Sequence, residues 1–146
     1  MNILWICTDQ QRFDTLGCTG NEWVHTPNLD RLASEGVLFE NAYAQSPVCA
    51  PSRGSFLTGR YPRTCGPRQN GQDIDAKERL LPRILADNGY YCGLAGKLHL
   101  SACHDNTGRL MEPRIDDGYH FFQWSHHPQP HHGTNWPANA YNQFLM

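Results

Sequence analysis

The stretch CAPSRGSFLTGR, residues 49–60, decides how the chain is interpreted. It places Cys49 just ahead of a segment that starts with proline and ends before glycine, a pattern that predicts a helix over residues 51–58. Backbone N–H groups and the helix dipole at such a start favour an anion or a thiolate. Arg53 lies one turn further on, so we expect its guanidinium close to Cys49. A single cysteine is more often an inert buried residue, so the interpretation depends on the wider pattern.

Strand and helix patterns alternate along the chain before this stretch. Residues 2–8 (NILWICT) are a short apolar run rich in β-branched and aromatic side chains, which is typical of a buried parallel strand. Thr26 before a proline, and Gly36 ten residues later, predict a helix between them, with Thr26 as its N-cap. Residues 37–43 then resume an extended pattern.

The same alternation continues after the stretch. Residues 80–88 predict a helix, and residues 90–95 predict a strand. Alternating strands and helices indicate an α/β fold in which a mostly parallel sheet is flanked by helices. Functional groups gather beyond the carboxyl ends of such strands. We therefore expect Asp9, after the first strand, to share one site with Lys97 and His99, which follow the last.

Residues 1–146 are interpreted as one domain, with a core over residues 1–100 and a loop-rich extension over residues 101–146. The last residues of the extension place Trp136 and later apolar side chains at helical spacing. This pattern stops at Met146 without a capping residue. We therefore expect the chain to be a fragment of a longer protein, and to be inactive or poorly folded by itself.

Composition narrows the function classes. Hydrophobic residues make up 39% and charged residues 18% of the chain, which fits a folded domain. The formal net charge of -2 gives no electrostatic reason to expect nucleic acid or an anionic membrane as a partner. No apolar run has the roughly 20 residues of a membrane span or the features of a signal peptide, so we expect a cytoplasmic protein. In that compartment the six cysteines are mostly reduced thiols, and a disulfide scaffold is the less favoured alternative.

Residues 49–60 resemble the signature of the sulfatase family, Cys-x-Pro-Ser-Arg followed by Leu-Thr-Gly-Arg, at every fixed position. The resemblance implies the alkaline-phosphatase-like fold and a sulfuric ester hydrolase, with residues 1–146 as the N-terminal part of its catalytic domain. In that family a formylglycine-generating enzyme oxidises the cysteine, here Cys49, to the aldehyde formylglycine. One hydroxyl of the hydrated aldehyde attacks the sulfate sulfur, and the other collapses the covalent intermediate and expels sulfate. Arg53 fits the family residue that holds the hydrate and shields its charge.

The resemblance also implies a divalent metal ion, usually Ca²⁺ with Mg²⁺ as the alternative, which polarises the sulfate and the attacking hydroxyl. Asp9 matches a metal ligand of the family, and a carboxylate oxygen is a hard ligand suited to such an ion. Many members have two successive Asp residues at this point, whereas this chain has Gln10. A Gln carbonyl oxygen can still ligate, but the site loses one negative charge. Asp9, Gln10 and the residue derived from Cys49 are therefore the expected metal ligands.

Residues 96–99, Gly-Lys-Leu-His, resemble the Gly-Lys-x-His motif of the same family. In that motif both side chains hydrogen-bond sulfate oxygens, and two cationic donors stabilise the charge that develops in the transition state. Alternation within an extended segment would place Lys97 and His99 on the same side. The expected catalytic set is Cys49, Arg53, Lys97 and His99, and the expected ligand is a small-molecule or saccharide sulfate ester.

Two alternative functions stay open. The same scaffold hydrolyses phosphonate monoesters and phosphodiesters with the same formylglycine, although Lys97 with His99 favours sulfate. A non-catalytic module that keeps only an anion-binding pocket is the other alternative. A histidine-rich segment invites a transition-metal interpretation, but it lacks a nearby Cys or carboxylate partner, so we favour an exposed loop. Its histidines are His126, His127, His131 and His132.

Overall fold

The computed structural model describes residues 1–103, 109, 111–126 and 140–145. The chain divides into two compact units, residues 1–43 and residues 44–146. The first unit has two short 3₁₀ helices, Phe13–Thr15 and Gly17–Thr19, followed by helix α1, Pro27–Glu35. The second unit has four helices and two strands among its described residues, namely α2 (Cys49–Thr58), α3 (Pro62–Cys65), α4 (Leu81–Asp87), β1 (Gly93–Gly96), β2 (Phe121–Trp124) and α5 (Ala140–Leu145).

Helix α1 has the predicted bounds, but Thr26 acts differently from a usual cap. The Thr26 side chain makes no capping hydrogen bond to α1. Its hydroxyl oxygen accepts the Gly17 N–H at 2.8 Å, and the hydroxyl donates to Asp30 Oδ1 at 3.0 Å. Asp30 Oδ1 also accepts the Cys18 N–H at 2.7 Å. These polar contacts, rather than apolar burial, join the second 3₁₀ helix to α1, which has no buried residue.

The strand predicted over residues 2–8 does not form within the described part of the chain, so that prediction is wrong. Residues 37–43, where the sequence has an extended pattern, form no strand either. A strand exists only when a neighbour completes its ladder of N–H and C=O hydrogen bonds, and no described residue does so for these segments. Their apolar side chains are exposed, as Leu4 at 84% and Phe39 at 74% show. An apolar pattern thus indicates that a segment suits a sheet but does not supply its partner.

In the second unit, β1 and β2 form a two-stranded parallel sheet. Their register runs from Gly93 opposite Phe121 to Gly96 opposite Trp124. The strand predicted over residues 90–95 overlaps β1 but begins three residues too early. The pattern gave no prediction for β2, whose four residues are too few to show an alternation. Parallel strands accompanied by helices confirm the α/β class.

Three helices of the second unit, α2, α4 and α5, fall where the sequence predicts them, whereas no helix is predicted at α3. Helix α2 begins two residues before the predicted start and ends at Gly59, whose φ of 68° is left-handed and whose N–H donates to the Ser55 carbonyl at 2.8 Å. Helix α4 lies inside the predicted range 80–88, and α5 falls in the segment with helical spacing. Trp136, which belongs to that last pattern, lies outside the described residues. Among the described residues, no helix is long and apolar enough to cross a membrane.

One hydrophobic cluster holds the second unit together around the end of β1. Leu98 and Leu100, on either side of His99, are 2% and 1% exposed and pack with Trp124 of β2. Burying such side chains is the main favourable contribution to folding, about 1.5–3 kcal/mol each. The cluster therefore fixes the backbone next to His99. Its buried members are Leu57, Ile74, Leu80, Leu98, Leu100, Cys103 and Trp124.

Charged contacts fix the loop that leads into β2. The buried Asp117 carboxylate pairs with Arg114, whose guanidinium also lies 4.1 Å from the centre of the Phe122 ring. Gly118 follows with a left-handed φ of 83°. A Cβ built on Gly118 would overlap the backbone of Arg83 in α4. Glycine is therefore required at this point by both the backbone angle and the close approach.

Candidate active site

Cys49 is the first residue of α2, after Val48 as the N-cap. The side chain of Val48 offers no capping acceptor, so the first turn finds another. The Ala50 N–H donates to Asn70 Oδ1 at 3.0 Å, which satisfies one of the backbone donors that every helix start leaves open. The positive end of the helix dipole thus lies at Cys49, whose side chain is half-buried.

Two nitrogen atoms from separate parts of the second unit meet at the Cys49 sulfur. Arg53 Nε donates to Cys49 Sγ at 3.2 Å, and His99 Nδ1 lies 3.1 Å from the same atom. Whether the imidazole donates or accepts there depends on its tautomer. Arg53 is only 8% exposed, and its Nη1 donates to the Lys97 carbonyl at 2.5 Å. The guanidinium therefore links the start of α2 to the segment that follows β1.

His99 has an unusual backbone conformation. Its φ of 56° is left-handed, which costs a residue with a Cβ about 1–2 kcal/mol. The extended alternation expected from the sequence thus stops at His99. The side chain is 5% exposed, and the ring of His126 lies edge-on to the His99 ring with centroids 4.8 Å apart. The described part of the histidine-rich segment therefore contacts the site, while His127, His131 and His132 lie outside the described residues.

Lys97 follows β1 directly and brings its backbone to the site. Its carbonyl oxygen is the acceptor for Arg53 Nη1. Its side chain is half-buried. Of the four predicted catalytic residues, Cys49, Arg53 and His99 thus meet through their side chains, and Lys97 meets Arg53 through its backbone.

The sequence does not predict a role for Glu112, whose carboxylate contacts the backbone of His99. Its carboxylate accepts the N–H groups of His99 at 2.8 Å and Ser101 at 2.9 Å, the N–H of Leu100, and the Trp124 indole N–H at 3.1 Å. Burial raises the pKa of Glu112, and these donors act in the opposite direction. The contacts join a side chain to backbone atoms 11 to 13 residues away, so no spacing in the sequence indicates them.

Asp9 and Gln10 belong to the first unit, and both are exposed. Gln10 has a left-handed φ of 54°. No group of three or more His, Cys, Asp or Glu side chains among the described residues is arranged to hold a metal ion. The predicted ligands Asp9 and Gln10 are adjacent in one unit, and Cys49 starts a helix in the other.

The arrangement in the second unit suits an oxygen-rich or anionic group at the position of Cys49. The start of α2, a buried guanidinium and an imidazole surround a half-buried sulfur. Such donors stabilise a bound anion or the charge that builds up during acyl-like or sulfuryl transfer. Cys65 differs from Cys49 because it is fully buried, and burial raises the pKa of its thiol.

Comparisons with known proteins point to one family. A family model described as Sulfatase matches residues 1–142. Human steryl-sulfatase is 35% identical over 133 residues, which are 83% of this chain and 23% of that protein. A structure solved with its substrate D-glucosamine-2-N,6-O-disulfate is 30% identical with a TM-score of 0.64, over 80% of this chain and 21% of that one. The phosphonate monoester hydrolase of Agrobacterium radiobacter is 30% identical with a TM-score of 0.63, over 89% and 26%.

The chain is much shorter than these relatives. It spans between 18% and 24% of the length of the curated proteins to which it is similar. The family match nevertheless covers nearly all of it, and the solved structures share the alkaline-phosphatase-like α/β fold that the resemblance of residues 49–60 implies. The chain belongs to the sulfatase family.

Proposed function

We propose that the protein containing this chain hydrolyses sulfate monoesters, with formylglycine made from Cys49 as its nucleophile. The observation that carries this proposal is the meeting of Arg53 Nε and His99 Nδ1 at Cys49 Sγ, at the start of α2. In this interpretation Cys49 Sγ stands where the oxygens of formylglycine would lie. Two nitrogen contacts are better suited to a hydrated aldehyde than to a thiol, which is a weak hydrogen-bonding group.

The residues around Cys49 have distinct roles in this proposal. Hydrated formylglycine would supply one hydroxyl that attacks the ester sulfur and displaces the alcohol. Its second hydroxyl would then lose its proton, so that the aldehyde re-forms and sulfate is released. Arg53 holds the nucleophile in place and balances negative charge, because its guanidinium is buried and fixed by the Lys97 carbonyl. His99 is within hydrogen-bond reach of the same atom, so it can hold or transfer a proton there. The ammonium of Lys97 is proposed to bind a sulfate oxygen.

The metal ligands are proposed on chemistry rather than geometry. Asp9 offers a carboxylate and Gln10 a carbonyl oxygen, and hard oxygen donors fit Ca²⁺ or Mg²⁺. With an oxygen of the residue derived from Cys49, they make a set of hard donors that is smaller than the roughly six to eight oxygens that Ca²⁺ takes. A bound divalent ion would polarise the sulfate. Asp9, Gln10 and Cys49 are therefore proposed as part of a metal site.

The names of the relatives are the support for the proposed substrate class. One relative is a steryl-sulfatase, and a solved neighbour holds a disulfated glucosamine. We propose a sulfated saccharide or another small sulfate ester as the substrate, and a formylglycine-generating enzyme as the partner that matures Cys49. The cytoplasmic location expected from the sequence stays a prediction.

The first experiment asks whether Cys49 is converted. Trypsin releases residues 32–53 as one peptide with Cys49 as its sole cysteine. Conversion lowers the mass of that peptide by about 18 Da, because sulfur is replaced by oxygen with loss of hydrogen. We expect the lighter, converted peptide when the complete product of the gene is expressed in its native host. An unconverted peptide in an otherwise folded protein would count against the proposal.

The second experiment asks which ester is cleaved. The phosphonate monoester hydrolase found among the solved neighbours makes phosphoester hydrolysis the second candidate. Rates on an aryl sulfate, an aryl phosphonate monoester and an aryl phosphodiester are compared for the wild type and for Cys49→Ala. We expect the sulfate to be the fastest substrate and the variant to lose all three activities. A faster phosphonate reaction would favour the second candidate, and no activity with any ester would favour a binding module.

A further inference from the structure

Glu112 is the most highly connected polar side chain next to the site, and it has no part in the proposed chemistry. It is 2% exposed. One carboxylate oxygen, Oε2, accepts the His99 N–H at 2.8 Å and the Trp124 indole N–H at 3.1 Å. The other, Oε1, accepts the Ser101 N–H at 2.9 Å and the N–H of Leu100. Both oxygens therefore have two donors each.

The three backbone donors belong to consecutive residues. An extended segment cannot direct three consecutive N–H groups at one carboxylate. Successive N–H groups of a strand point to opposite sides, whereas a left-handed residue followed by others can turn them toward one point and form an anion-binding concavity. His99 supplies that turn with its φ of 56°. A carboxylate accepting three such groups holds this conformation, which a residue with a Cβ otherwise disfavours.

The same backbone angle sets the direction of the His99 side chain. Leu98 and Leu100 are buried in the hydrophobic cluster on either side, so the segment has little freedom to adjust. His99 Nδ1 then lies 3.1 Å from Cys49 Sγ. Without the turn at His99, its Cβ would leave the backbone in another direction and the imidazole would move away from that atom.

We propose that Glu112 is a positioning residue that holds the left-handed backbone of His99 and so directs its imidazole to Cys49. The catalytic consequence rests on the proposed function, but the geometric one does not. Glu112 acts through His99 and does not touch the reacting atoms. A residue that only stabilised the fold would lower stability without a specific effect at Cys49.

The first test is a double-mutant cycle in the complete gene product. Glu112→Gln keeps the size of the side chain but turns an N–H₂ group toward two of the four donors. We expect kcat for an aryl sulfate to fall about 10- to 100-fold with KM changed less than about 3-fold. Since Glu112 acts through His99, the Glu112→Gln, His99→Ala double variant should be no slower than His99→Ala alone. Multiplied losses in the double variant would overturn the proposal.

The second test does not need sulfatase activity. In protein expressed with Cys49 unconverted, alkylation of the thiol by iodoacetamide at one fixed pH is followed on the peptide of residues 32–53. We expect both His99→Ala and Glu112→Gln to slow this reaction, and to a similar extent. Glu112→Asp keeps the charge but shortens the side chain by one methylene group, so it should slow the reaction less than Glu112→Gln. It replaces Glu112→Gln in this test if that variant fails to fold.

Asp73→Asn is the matched control. The Asp73 carboxylate accepts the N–H of Ala102 at 2.9 Å, one residue beyond those that Glu112 holds, and pairs with Arg109. We expect this variant to leave the alkylation of Cys49 unchanged. An equal effect of Asp73→Asn would mean a general loosening of the loop and would overturn the proposal. A different outcome is that the variants alkylate as expected but the complete gene product hydrolyses no ester. That outcome would count against the proposed function and would leave the positioning role of Glu112 supported.

Discussion

Arg53 joins two parts of the second unit through one planar group. Its Nε contacts Cys49 Sγ and its Nη1 contacts the Lys97 carbonyl, so it links the start of α2 to the residue that follows β1. The guanidinium is buried, and a buried charge is tolerated only when hydrogen bonds surround it. Lysine carries the same charge but has neither the fork of donors nor the planar shape.

We therefore expect Arg53→Lys to lower kcat/KM for an aryl sulfate by at least about 100-fold, the loss seen when one fixed donor to a developing anion is removed. Steady-state kinetics on the complete gene product would measure it. Arg63→Lys, at an exposed arginine in α3, is the control and should stay within about 2-fold of the wild type. Comparable losses in both variants would mean that the loss does not come from the particular contacts of Arg53.

Sequence reasoning at the residue scale succeeded where contacts follow a helical repeat. Arg53 is four residues after Cys49, and α2 places the two side chains on one face. It did not find Asn70 or Glu112, because both act on backbone N–H groups that any residue can offer. Asn70 precedes a glycine, which indicates a turn and not a helix cap.

At the scale of elements, two glycines with similar backbone angles differ in their surroundings. Gly89, after α4, has φ 85°, and a Cβ there would meet no atom within 4 Å. Gly118 has φ 83°, and a Cβ there would overlap the backbone of Arg83 and Pro82. The first position therefore tests only the backbone angle, and the second tests the angle together with the packing of the β2 loop on α4.

We expect Gly89→Ala to lower the free energy of unfolding by about 1–2 kcal/mol, the cost of a left-handed residue with a Cβ. Gly118→Ala should lower it by about 3 kcal/mol or more, because the backbone must also move. Urea unfolding of both variants under one set of conditions gives the comparison. Equal losses would show that the loop moves away from α4 at little cost.

Tyr119, just before β2, gives the second unit a dependence on alkaline pH. Burial favours the neutral phenol and raises the pKa of Tyr119 from its ordinary value of 10.0 to about 12. A group that is harder to ionise in the folded state stabilises the fold below the pKa of the unfolded chain. That contribution is lost as the pH rises from about 10 to about 12.

We therefore expect the free energy of unfolding of the wild type to fall across this pH range, and Tyr119→Phe to show a smaller fall. Urea unfolding midpoints measured at several pH values within that range would test it. Tyr91→Phe is the control, since Tyr91 is 76% exposed and should leave the slope unchanged. A slope that Tyr119→Phe does not alter would mean that other groups dominate alkaline unfolding.

Helices were predicted well at this scale and strands poorly. Helix limits are local, since proline, glycine and apolar spacing lie within the element, and α1, α2 and α4 follow them. A strand depends on a partner that can lie anywhere in the chain, so residues 2–8 have the right pattern without forming one. The partner of β1 is β2, more than twenty residues further on, and only its neighbour makes it a strand.

At the scale of the whole molecule, the first unit exposes apolar side chains that a folded protein usually covers. Leu4 is 84% and Ile6 77% exposed, and residues 37–39 are exposed as well. Contiguous exposed apolar residues promote association, because contact removes their surface from water. Composition alone does not reveal this, since the hydrophobic fraction of the chain is ordinary.

We expect the 146-residue chain, expressed by itself, to self-associate with increasing concentration and to bind a hydrophobic dye. Leu4→Lys with Ile6→Lys should shift it toward the monomer in light scattering. The control, Asn2→Lys with Thr8→Lys, adds the same two charges within the same segment without removing apolar surface. A similar shift in the control would mean that added charge, and not lost apolar surface, limits association.

The left-handed turn at His99 has a consequence for protein engineering. The short string Gly-Lys-x-His cannot be grafted onto the end of an arbitrary strand as a ready-made receptor, because the string does not encode its own shape. A recipient scaffold must also present a carboxylate from another loop, as Glu112 does, at the right depth beneath three amide groups. Designers who search for compatible scaffolds should therefore score for that acidic support before they score for the lysine and the histidine.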